Sequence, residues 1–81
     1  MIDPNIVETK EQFLTFVRSL KVSFQDEPNA WENGSIDSYM EGILGWTTDF
    51  EGAYKYRGEV LPNHIDWKFI ARMLAAASIY D

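Results

Sequence analysis

The chain has 81 residues, no cysteine and a formal net charge of −6. So short a chain buries only about 60% of the surface its unfolded form exposes, so twelve aromatics (three Trp, four Tyr, five Phe) must supply most of a thin core. Without cysteine there can be no disulfide, thiolate nucleophile or Cys-based zinc site, and the acidic surplus disfavours phosphate backbones and anionic lipid, so no nucleic-acid or membrane partner is expected.

The first eight residues show no periodicity and read as an irregular lead-in. Thr9 and Gln12 then have the spacing of a capping box. From Phe13 the apolar residues Phe16, Val17, Leu20 and Phe24 repeat at helical intervals. The spacing predicts a helix over 10–25, stopped by Pro28.

Residues 26–35 are turn chemistry around one large apolar residue, Trp31, which should fold back over the core edge. Ser35 fits an N-cap, and Asp37 sits favourably in the first turn of the helix that follows. The stripe Ile36, Tyr39, Met40, Ile43, Trp46, Thr47 and Phe50 predicts a second helix over 36–50, ending at Phe50 or one turn later at Tyr54. Gly42 and Gly45 lie inside it, each costing roughly 1 kcal/mol relative to Ala. A close approach by another helix or a bulky ring would account for them.

Residues 51–65 are expected to form a long irregular connection, with Gly52 a weak point, Tyr54 and Tyr56 in extended chain, and a turn at Arg57-Gly58-Glu59. Asp66 caps a last helix over 67–80. This helix carries two apolar stripes. One is Trp67, Ile70, Ala71, Leu74, Ala75 and Ser78; the other is Phe69, Met73, Ala76 and Tyr80. Such a helix is either the central one of its bundle or a surface for a second copy of the chain. The fold class is all-α, one compact domain of three main helices.

Catalytic chemistry is poorly provided for. The one histidine, His64, stands in a loop just before a helix cap, with no second histidine to share a metal. Asp37 and Glu41 are four apart and share a helix face, a spacing also common on solvated acidic helices. No glycine-rich phosphate loop is present. The Asn33-Gly34-Ser35 acceptor pattern carries little weight without an export signal, and none is visible. The expectation is therefore a non-enzyme, without cofactor or metal, in the cytoplasm.

Two segments are candidate partner-binding surfaces. The first is acidic: residues 25–42 hold Asp26, Glu27, Glu32, Asp37 and Glu41 and no base, with Trp31 among them. Its field would speed encounter with a basic protein. The second is Tyr54-Lys55-Tyr56-Arg57, where aromatics stand beside bases; Tyr54, Tyr56 and Arg57 are its candidate contacts. A homo-oligomer packed through the last helix is the alternative. A small-molecule pocket among Trp31, Trp46 and Trp67 is a third reading.

The order of pieces resembles a family of small uncharacterised bacterial proteins, a domain of unknown function. The matching features are Phe-x-x-Phe-Val-x-x-Leu at 13–20, Trp-Glu-Asn at 31–33, and Gly-Trp at 45–46. Tyr-x-x-x-Gly-x-x-x-Pro follows at 54–62, then the Trp-initiated Ala-rich helix at 67–80. The resemblance implies an α-helical domain and a bacterial source, and transfers no catalytic residue. Some small acidic families of this kind are immunity proteins, which suggests an immunity-type role.

Overall fold

The computed structural model describes residues 1–80, and among them there are three α-helices and no strand: α1 (Lys10–Asp26), α2 (Ile36–Tyr56) and α3 (Trp67–Ala77). Each begins where a side chain can satisfy its orphan amides. Thr9 and Gln12 form the reciprocal box at α1, with Gln12 N donating to Thr9 Oγ1 at 3.1 Å and Thr9 N to Gln12 Oε1 at 3.1 Å. Ser35 and Ser38 do the same at α2, and Asp66 accepts from Phe69 N at 2.8 Å at α3.

The two stripes of α3 make it the central helix. Ala71, Leu74 and Ala75 face a cluster built by Val7, Phe16 and Leu20. Phe69, Met73 and Ala76 face a second cluster with Trp46, Phe50 and Tyr54. In that second cluster Phe69 lies edge-on to Trp46 at 5.3 Å and to Phe50 at 5.0 Å, the arrangement aromatic quadrupoles favour. α1 and α2 thus both pack on α3 and hardly touch one another.

Three boundaries differ from the spacing-based reading. α2 runs through Gly52 to Tyr56, six residues past Phe50, so Tyr54 and Tyr56 are helical and the connection shrinks to 57–66. Burial of Tyr54 against Phe50 and Phe69 outweighs the roughly 1 kcal/mol propensity cost of one glycine. The stop is Gly58, in the left-handed region at φ +72°. Gly58 N donates to Lys55 O at 3.0 Å and Glu59 N to Tyr54 O at 2.9 Å, which is a Schellman cap. α1 extends one residue, to Asp26, and α3 ends at Ala77 rather than 80.

The lead-in is also ordered into the core. Pro4–Ile6 form a 3-10 turn capped by Asp3, and Val7 behind it is fully buried. Ile2 N donates to Ser19 Oγ at 3.0 Å. Arg72 of α3 ties this turn to the connection: its Nε donates to Asn5 Oδ1 at 2.7 Å, and its Nη2 to both Glu59 carboxylate oxygens at 2.9 and 3.1 Å. No helix among the described residues is long and apolar enough to cross a membrane.

Candidate protein-docking site

Because α1 and α2 flank α3 without closing on each other, a groove remains between them. Its lining includes Leu20 and Phe24 of α1, Trp31 of the turn, and Ile36 and Tyr39 of α2, with a volume of about 290 Å³. Trp31 is fixed there. It stacks on Tyr39 at 5.7 Å between centroids, meets Phe24 edge-on at 5.1 Å, and donates from Nε1 to Ser23 Oγ at 3.3 Å. The Tyr39 hydroxyl donates to Leu74 O at 2.7 Å. Burial pushes the pKa of that hydroxyl up to about 12, which extends to strongly alkaline pH the neutral state it already has near neutrality.

From Ile36 the apolar surface continues along α2. Ile36, Met40 and Leu44, each four residues on, are 75%, 55% and 62% exposed. Sequence spacing puts Ile36 and Met40 in the inward stripe. Tyr39, Ile43, Trp46 and Phe50 of that stripe do face inward, joined by Gly42 and Tyr54, so the face is rotated by roughly a third of a residue step, which leaves Ile36, Met40 and Thr47 exposed. Gly42 is the signal in the sequence that points to this. A Cβ there would collide with the Ala77 carbonyl oxygen, so position 42 touches the end of α3 and the strip at 36, 40 and 44 faces away.

Acids border this strip. Asp37 and Glu41 each follow a strip residue by one position and are exposed; Glu32 is exposed in the turn. Asp26 ends α1 and Glu27 caps it, both exposed. Lys21 also lines the groove. Of the nine expected contacts, Trp31 thus lines the groove and Asp37 and Glu41 border the strip, whereas Asp26 and Glu27 line a separate depression with Arg18, and Glu32 is only shown to be exposed.

The other three do not join them. Tyr54 is in the core, 7% exposed, beneath the Arg72 guanidinium at 5.1 Å. Tyr56 is 93% exposed and Arg57 is the exposed C-cap of α2. They lie roughly 28 Å from Asp37 along the axis of α2. The three indoles are separate as well: Trp31 is with Tyr39, Trp46 with Phe69, and Trp67 against Phe13 at 5.2 Å. They share no common pocket.

The residues weighed for chemistry are dispersed. His64 is exposed in the connection. Among the described residues no three His, Asp or Glu side chains converge as a metal set. Asn33 of the Trp-Glu-Asn turn is structural: its amide donates to Ala77 O at 2.8 Å and Tyr80 O at 2.6 Å, and its own N–H to Ser78 O at 2.9 Å. That turn thus closes α3 with Asn33, covers the core with Trp31, and leaves Glu32 outside.

Residues 9–81 match the family of unknown function DUF7660, nearly the whole chain, and the chain belongs to that family. No curated protein and no solved structure matches it.

Proposed function

We propose that this DUF7660 protein is a non-catalytic interaction module that docks a basic amphipathic helix of another protein. The observation that carries the reading is the exposed strip Ile36–Met40–Leu44, continuous with an apolar groove and bordered by Asp37 and Glu41. An amphipathic helix laid on such a surface buries apolar residues at i, i+3, i+4 and i+7. Lysines and arginines beside that face would meet the carboxylates, which guide encounter and orientation more than they add affinity. An immunity-type role in a bacterium is the specific form of this reading: an acidic protein covering a basic toxin.

A second copy of the chain suits the strip less well. Isologous packing would set Asp37 and Glu41 against their own equivalents, between molecules each carrying −6. The apolar circumference of α3, the feature that favours an oligomer, is spent inside the molecule: all of its residues except Trp67 are at least partly buried.

The test uses a designed Leu/Lys amphipathic helix, a scrambled peptide of the same composition, and a Leu/Glu version. Only the first should bind, more weakly as salt rises. The double variant Met40→Asp, Leu44→Asp should abolish binding without lowering the melting temperature, since both positions are exposed. Equal binding of the scrambled peptide, or an unaffected double variant, would remove the groove from the reading. Light scattering should return the mass of one chain.

A further inference from the structure

A second cavity, also of about 290 Å³, opens where the N-terminal 3-10 turn, the second half of α2 and the last turns of α3 meet. Its walls include Trp46, Ala53, Tyr54 and Ile79, so it is mainly apolar, yet two guanidiniums line it, Arg57 and Arg72. The two cations differ. Arg72 is committed to Glu59 through both carboxylate oxygens, to Asn5, and to the face of Tyr54. Arg57 donates only one long hydrogen bond, 3.4 Å from Nη1 to the same Asn5 oxygen. Among the described residues no carboxylate lies within ion-pair distance of Arg57; the ion pairs are Lys68–Glu8 and Arg72–Glu59. The cavity therefore couples an apolar wall to one positive charge that no described carboxylate neutralises.

We propose that this cavity binds a small amphiphilic carboxylate, its apolar body against Trp46, Ala53 and Ile79 and its carboxylate on Arg57. A guanidinium presents a planar fork of donors that matches a carboxylate's two oxygens. The volume is at the low end for ligand sites, roughly 300–1,000 Å³, which limits the guest to a short chain or a single ring. The net charge of −6 turns away polyanions, whereas a single carboxylate is met locally by Arg57. This inference does not depend on the groove between α1 and α2.

Calorimetric titration of the full chain with octanoate, octanol and octylammonium tests it. Octanoate should bind saturably, and the other two at least about tenfold more weakly, the discrimination one charge-assisted pair supplies. Arg57→Gln should weaken octanoate about tenfold and leave octanol unchanged, with Arg57→Lys recovering part of the loss. Arg57 is exposed, so these variants should melt like the parent, which circular dichroism checks. Ala53→Phe, at another exposed position, should fill the cavity and remove binding of all three compounds. No saturable octanoate binding, equal binding of octylammonium, or an unchanged affinity in Arg57→Gln overturns the proposal.

Discussion

The Asn33 side-chain amide donates to the carbonyl of Ala77, 44 residues later, at 2.8 Å, and Gly42 lies in the same contact. A helix C-terminus leaves carbonyls without partners, and here a distant amide supplies them. A Cβ on Gly42 would collide with the Ala77 oxygen and come within 2.9 Å of the Asn33 amide nitrogen. The first obstacle is backbone, which cannot rotate aside. Gly42→Ala should therefore destabilise by about 3 kcal/mol, the upper range of overpacking, despite the better helix propensity of alanine. Asn33→Asp keeps the shape but sets a carboxylate against two carbonyls. It should cost roughly 2–4 kcal/mol. Urea unfolding measures both, and a Gly42→Ala variant as stable as the parent would refute the close approach.

Two other glycines should separate in sign. Gly52 is helical, and a Cβ added there would meet nothing within 4 Å, so alanine gains propensity without a clash. Gly52→Ala should stabilise by about 0.5–1 kcal/mol. Gly58 also has open space, but its φ of +72° is one that side chains rarely adopt. Gly58→Ala should destabilise by about 1 kcal/mol and fray the Schellman cap of α2. Thermal melts of the two variants read the opposite shifts directly.

Local chemistry makes the three helices legible in the sequence. Thr9, Ser35 and Asp66 announce each start, and the double stripe of α3 allows a central helix or a surface for a second copy, of which the packing shows the first. The turn at Arg57-Gly58-Glu59 is legible too, but not that α2 runs unbroken up to it, because the letters do not say that Gly52 stays helical. Only Gly58 has the left-handed backbone, and only the packing of Tyr54 carries the helix past Gly52. The facing of α2 is ambiguous for a related reason. Apolar residues occupy more than half its circumference, and a period of 3.6 does not say which part meets α3. Half of the proposed docking site is readable in the acidic segment that holds Asp37 and Glu41. Its apolar half, Met40 and Leu44, emerges only once Gly42 is placed against Ala77.

Val7 shows what a short aperiodic segment conceals. It is fully buried beside Phe16, Leu20 and Ala71, although the helices begin only at Lys10. Val7→Ala should cost roughly 1–3 kcal/mol through lost transfer energy and the cavity left behind. Removing residues 1–8 should cost more, since Ile2 packs on the same cluster and Asn5 accepts from Arg72. Denaturant unfolding of the two variants gives the comparison. A truncated chain as stable as the whole would show that the 3-10 turn does not contribute to the core.

Stability should fall in alkali, and Tyr39 should account for part of the fall. Burial holds the pKa of its hydroxyl at about 12 against an ordinary 10.0. The folded chain thus keeps the proton to higher pH than the unfolded chain does. The resulting contribution is complete below pH 10 and disappears as pH rises towards about 12. Tyr80 is also raised, chiefly because its hydroxyl donates to the Asp49 carboxylate, and adds in the same direction. Tyr39→Phe isolates the buried group: it should be less stable than the parent near neutrality, having lost the bond to Leu74, and the gap should narrow as pH climbs above 10. A gap constant from neutrality to pH 12, measured by urea unfolding, would show that the Tyr39 proton is not linked to folding.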